Sequence, residues 1–225
     1  MKTKLITIAL ATTLAASTMF ALPPVTTVEN STIENTNTDV TNEATNKSKI
    51  NSGIEAVGAT IKDSEIYNTN SNMENTAKDE SLIVSGISLN KAQVTDGSVI
   101  TNINKDGVNE ATNKSKIVSG IEANESTIKD STIYNENTGV ENYAKDESLI
   151  VSGISLNKAT VEGGSEISNT NTDGTNIAEG KSVVISGISA NNAQIKNSTI
   201  TNTNTGVDNT AKGESEANSG INLGY

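Results

Sequence analysis

The side chains that could do chemistry in this chain are acids, lysines and hydroxyls, in a background with no His, no Cys and no Arg. Ser–His and Cys–His nucleophile pairs are therefore absent, as are soft metal sites. The acidic turns Lys78-Asp79-Glu80 and Lys145-Asp146-Glu147 carry the oxygens of a calcium loop. Each also contains a Lys, and the glycine-rich nonapeptide of calcium-binding rolls is missing, so they read as solvated turns. Paired carboxylates could cleave a glycoside, but without Arg, His or Trp there is little to hold or stack a sugar. The chain reads as no enzyme, with no catalytic, cofactor-binding or metal-binding residue and no small-molecule substrate. A formal charge of −11, with all sixteen basic residues Lys, argues against nucleic acid as a partner.

The elements that would position any of these groups come from one repeat. Ser-Gly-Ile recurs with its glycine at 53, 86, 120, 153, 187 and 220, at alternating spacings of 33 and 34 residues. Only 33% of the chain is hydrophobic, a composition that ordinarily gives disorder. Strict repetition argues the other way, because stacked copies share a thin continuous core.

The unit has two related halves. The first type, as in Ser198-Thr199-Ile200-Thr201-Asn202, begins at Ser31, Ser64, Ser98, Ser131, Ser165 and Ser198 and is 17 residues long. The second, as in Ser148-Leu149-Ile150-Val151-Ser152-Gly153-Ile154, begins at Ser48, Ser81, Ser115, Ser148, Ser182 and Ser215 and is 16 or 17 long. Counted from each leading Ser, constant residues fall at offsets 0, 2, 4, 6, 11 and 13, a two-residue period broken by a turn. Gly139, Asp173 and Gly206 mark that turn, where positive φ is tolerated. The fold class predicted is all-β: an elongated β-solenoid of 11–12 two-stranded rungs of 16–17 residues each, paired as 33/34-residue repeats. At about 4.8 Å per rung it would be a rod of roughly 55 Å. The core ladder comprises Ile66, Ile83, Ile100, Ile117, Ile133, Ile150 and Ile167. The polar columns at Asn135, Asn137, Asn142, Asn202, Asn204 and Asn209 point inward too and must be hydrogen-bonded there. Large residues stacked over small ones at offsets 6 and 13 would fill the interior.

Met1 to Ala21 has Lys2 and Lys4, an apolar run from Leu5 to Leu14, and small residues before Leu22-Pro23-Pro24. That is the layout of a secretory signal peptide, too short in its apolar run to span a bilayer. The expected organisation is a signal peptide at 1–21, a lead-in and half rung at 22–30, and the repeat solenoid at 31–225. The protein is expected outside the cell or on a bacterial surface.

The first-type half resembles the curlin repeat of bacterial curli fibres. Ser131, Gly139, Asn142 and Ala144 fall on the curlin offsets, as do Ser198, Gly206, Asn209 and Ala211. The curlin Gln positions hold Asn137 and Ser148, or Asn204 and Ser215, and other copies replace the Gly with Asp39, Asn72, Asp106 or Asp173. The match covers about half of the chain. The resemblance implies an extracellular structural fibre of biofilm or adhesive type, with a nucleator or an outer-membrane export or anchor protein as further partners.

The two ends fit one another. Thr26-Thr27-Val28-Glu29-Asn30 matches Ala193-Gln194-Ile195-Lys196-Asn197, the second strand of a second-type half without its first; Ser215 to Tyr225 is that missing first strand and turn. The expectation is a head-to-tail homopolymer whose interface includes Thr26, Val28, Ser31 and Ile33 on one subunit and Ser215, Ala217, Ser219, Ile221 and Tyr225 on the other. The alternative is a monomeric binding solenoid, either an adhesin stalk or an ice-binding protein. For the latter, Thr199, Thr201, Thr203 and Thr205 would form a flat array, which Tyr134, Glu136, Glu166 and Ile103 interrupt.

Overall fold

A computed structural model describes residues 4–9, 20–22 and 27–224. Thr26, Tyr225 and most of the expected signal peptide lie outside the described residues. Among the described residues there is strand and turn but no helix, as β-branched side chains and Asn at a two-residue period dictate. The chain winds as a β-solenoid of six turns from Thr27 to Asn222.

Each coil has five walls. In the fourth coil they are Thr132–Thr138, Glu141–Lys145, Leu149–Val151, Ile154–Asn157 and Thr160–Glu162, here called walls 1 to 5. Every wall is a parallel sheet running along the stack. Thr27–Glu29 opens the path in wall 5 and Ile221–Asn222 ends it in wall 4. Two strands that precede the solenoid lie beyond the first coil: Lys4–Ala9 pairs with Ser31–Thr38 in wall 1, and Phe20–Leu22 pairs with Ile54–Val57 in wall 4.

The stacking unit differs from the 16/17-residue, two-stranded rung. Ile133 pairs with Ile100 before it and Ile167 after it, and the same 33/34-residue register holds in every sheet. First-type halves form two strands and second-type halves three, because the Ser-Gly pair bends the chain between walls 3 and 4. The halves face each other across the coil instead of lying one on the other. Six coils at about 4.8 Å give a stack of roughly 29 Å, about half the length expected from separate rungs. Large-over-small alternation therefore runs across the interior, while along the stack like sits on like: Ala144 pairs with Ala178, and Val161 with Ile195.

The physical reason lies in the glycines and asparagines. A Cβ at Gly120 would collide with the carbonyl oxygen of Gly153, so only Gly can stack on Gly at this corner. A 16/17-residue rung would put Asn over the Ser-Gly-Ile bend and lose both this close approach and the amide ladders described below. Serines at the half boundaries repeat the logic: Ser115 N–H donates to Ser148 Oγ, and Ser131 N–H to Ser165 Oγ.

The interior has two apolar compartments. The larger joins walls 1, 4 and 5 through Ile133, Ile154, Leu156 and Val161 and their counterparts; the smaller joins walls 2 and 3 through Ala144 and Ile150. Ile66, Ile83, Ile100, Ile117, Ile133, Ile150 and Ile167 are all fully buried. Each contributes about 1.5–3 kcal/mol by leaving water.

Candidate assembly faces

Between the apolar compartments runs a polar spine built by wall 1 and the start of wall 2. Asn135 Nδ2 donates to Ser152 O across the coil at 3.0 Å and to Asn169 Oδ1 in the next coil at 2.8 Å. Asn137 does the same, to Ser152 O at 2.9 Å and Asn171 Oδ1 at 2.8 Å. Asn142 continues a third ladder to Asn176 Oδ1 at 2.8 Å. In coils 1, 2, 3, 5 and 6 the third Asn also reaches the Ser hydroxyl, as Asn109 Nδ2 does to Ser119 Oγ at 3.0 Å; Ser152 Oγ has no partner. The Ser carbonyl is free to accept because the bend reroutes its neighbours. The N–H groups of Ser152 and Gly153 both donate to Ile185 O at 2.8 Å, and Ser152 O turns inward to the amides.

This arrangement gives the stack a polarity. A carbonyl only accepts, so Ser152 O fixes which end of each amide faces it, and the ladder runs Nδ2 to Oδ1 toward the C-terminus. Asn35, Asn37 and Asn42 stand first, donating to Asn68, Asn70 and Asn75. Asn202, Asn204 and Asn209 stand last; their Nδ2 atoms reach Ser219 O or Oγ at 2.6–2.8 Å, each with a second amide hydrogen aimed out of the stack.

The C-terminal face carries the rest of the expected interface. Ser215, Ala217 and Ser219 are half-buried, and Ile221 is 46% exposed where its counterparts Ile154 and Ile188 are fully buried. Leu223 is 67% exposed, and Asn204 and Asn209 are exposed where Asn137 and Asn142 are buried. On the N-terminal face Val28 and Ile33 are buried and Ser31 is half-buried, with Lys4–Ala9 lying along Ser31–Thr38. The two groups thus lie on opposite ends of one stack, and walls 1 to 4 of the first coil each have a counterpart strand in the last.

The interface expected from the sequence did not include Gly220, Asn35, Asn37 and Asn42. A signal was present: glycine at offset 5 occurs in second-type halves only, which marks a close backbone approach that repeats at 33/34 and not at 16/17.

Other candidates resolve into surface structure. The turns at Asp79-Glu80 and Asp146-Glu147 alternate along the stack with Asn46-Lys47 and Asn113-Lys114, so each Glu meets a Lys, as Glu147 meets Lys114 at 3.5 Å. No group of three metal-ligating side chains occurs among the described residues. Tyr67 and Tyr134 flank Thr101 in one outward column of wall 1. Burial, and a 2.9 Å hydrogen bond donated to Glu136, raise the Tyr134 pKa. Thr201 lies above Ser168 and Thr203 above Thr170, which lies above Glu136, so the threonine row of the last coil is not continued down the wall. Comparison with protein-family models, curated proteins and solved structures finds no match.

Proposed function

We propose that this chain is a secreted structural subunit that stacks head to tail into extracellular amyloid-like fibres serving biofilm matrix or adhesion. Its principal partner is another copy of itself; the curlin-like halves add a nucleator or an outer-membrane export or anchor protein. No catalytic role is assigned to any residue.

One observation carries the reading: on the last described coil Ile221, Asn204 and Asn209 are exposed where their counterparts inside the stack are buried, and the first coil presents the same residue types in the same register. Ile221–Asn222 leaves wall 4, and the next segment of the path would pair with Gln194–Ile195 in wall 5, the wall that Thr27–Glu29 opens at the other end of the stack. A second copy placed there would set Val28 over Ile195, Ile33 over Ile200, Asn35 over Asn202 and Ile54 over Ile221, like on like as within the chain. Each junction would extend the three amide ladders in the same sense and cover Ile221. Edge strands left open in this way are templates for another chain.

The test is electron microscopy and fibre diffraction on the chain from Leu22 onward. Filaments with a meridional repeat near ~4.8 Å are expected, and deletion of Ser215 to Tyr225 should abolish them. A wild-type chain that stays monomeric at high concentration, or a truncated one that polymerises normally, overturns the proposal.

A further inference from the structure

The turn between walls 2 and 3 holds a column of alternating charge: Lys47, Glu80, Lys114, Glu147, Lys181 and Glu214. The pairs Lys47–Glu80, Lys114–Glu147 and Lys181–Glu214 lie at 3.4, 3.5 and 3.6 Å. Charge thus has a period of two coils, twice that of the backbone. Like charges stand about 9.6 Å apart, close to the screening length at ~0.1 M salt, with an opposite charge between them.

The column opens on Lys47 and closes on Glu214, so a copy stacked head to tail sets its Lys47 over Glu214 and the alternation passes through the junction. Two other columns agree. Lys49 heads a wall 3 column that ends at Glu216, and Glu29 heads a wall 5 column whose register ends at Lys196. The next-coil partner of Glu29 within the chain is already a Lys, Lys62, at 3.7 Å. Where acids recur in the first turn they obey the same parity: Asp39, Asp106 and Asp173 alternate with Asn72, Gly139 and Gly206, so Asp39 of a second copy would sit over Gly206 and not over another acid.

Resting on the filament reading above, we infer that the second copy is selected by charge: Lys47, Lys49 and Glu29 on the head meet Glu214, Glu216 and Lys196 on the tail. The code favours head-to-tail contact in which the alternation of charge stays in phase. A junction shifted by one coil would set Glu80 of the incoming chain over Glu214. These pairs are exposed, so each adds little alone; their effect is to make wrong partners repel.

The experiment uses two variants of the chain from Leu22 onward. E214K/E216K places Lys on both faces, and K47E/K49E places Glu on both. Each alone should elongate its own sheared seeds at least about ten-fold more slowly than wild type in low salt. An equimolar mixture should grow at close to the wild-type rate as an alternating copolymer, since every junction is again complementary. Circular dichroism reports whether each variant is folded. If E214K/E216K does not fold, E214Q/E216Q, which puts no second cation beside Lys181, takes its place and should slow growth about three-fold. Variants that each polymerise alone at the wild-type rate, or folded variants whose mixture stays inert, overturn charge selection while leaving the fibre reading intact. Failure of the wild type itself to polymerise overturns both.

Discussion

Gly187 and Gly220 stand one coil apart at the same corner, and a methyl group on Gly187 would overlap the carbonyl oxygen of Gly220. Gly220 has no such neighbour: the nearest atom to a Cβ built on it is Asn218 Oδ1, at 3.8 Å. The same residue type is thus obligatory inside the stack and unconstrained at its end.

Inside the stack the constraint should be severe. Gly120→Ala forces a Cβ into the Gly153 backbone, which no side-chain rotation relieves. A loss of more than about 4 kcal/mol in urea unfolding, or failure to fold, is expected. Gly97→Ala is a contrasting control, since a Cβ there meets nothing within 4 Å and the cost is only that of its positive φ.

The amide spine predicts an effect graded by position. Asn135→Leu leaves Asn102 Nδ2 without its Oδ1 acceptor and Asn169 Oδ1 without its donor, in a site that is fully buried. It should cost about 3 kcal/mol. Asn204→Leu, at the exposed end of the neighbouring ladder, takes the acceptor from one amide only, Asn171 Nδ2, and should cost about 1 kcal/mol in the monomer. Equal losses at both positions would show that the ladders do not act as a buried network.

Much of this was legible beforehand, and what was not has a definite cause. Alternation at offsets 0, 2, 4 and 6 identified strands and their inward columns, and residues such as Ile133 and Asn135 lie inside as that period requires. The stacking distance was not given by the period. Ile sits at offset 2 in both halves, so Ile133 finds an Ile partner whether the rung is 17 residues or a coil of 33 or 34. Two facts separate the alternatives: Gly153 must stack on Gly187, and Asn135 must face Ser152 across the coil. The glycine recurrence at 33 and 34 residues points to the first, but the second is a relation between opposed halves that no count along the chain displays. The charge alternation from Lys47 to Glu214 was equally present in the sequence, but it has no meaning until the coil length is known.

The segment before the solenoid should regulate its head. Lys4–Ala9 and Phe20–Leu22 occupy the edges of walls 1 and 4 that an incoming copy would need. A chain that retains residues 1–21 should therefore fail to elongate seeds made from the chain beginning at Leu22, and cleavage at Ala21 should restore growth. Elongation by the uncleaved chain at the same rate would show that the edge is accessible regardless.

Acid should loosen the last coil first. Lys212 donates a 2.8 Å hydrogen bond to Glu179, and this bond together with its charge lowers the Glu179 pKa below the ordinary 4.5. A folded-state pKa below the unfolded one stabilises the fold above the unfolded value, and that contribution fades as pH falls through the folded value. Amide hydrogen exchange in Asp208–Lys212 should thus accelerate below pH ~4 more in wild type than in Glu179→Gln, which lacks the titrating group.

Stacking itself is tested most directly by Gly220→Ala. In the isolated chain the new methyl group has open space, so thermal unfolding should match wild type. In a head-to-tail junction it would meet the carbonyl oxygen of Gly53 from the next copy, as a methyl on Gly187 would meet Gly220. Seeded growth followed by thioflavin fluorescence and electron microscopy should show filaments for wild type and none for the variant. A folded Gly220→Ala chain that forms filaments at the wild-type rate would contradict head-to-tail stacking.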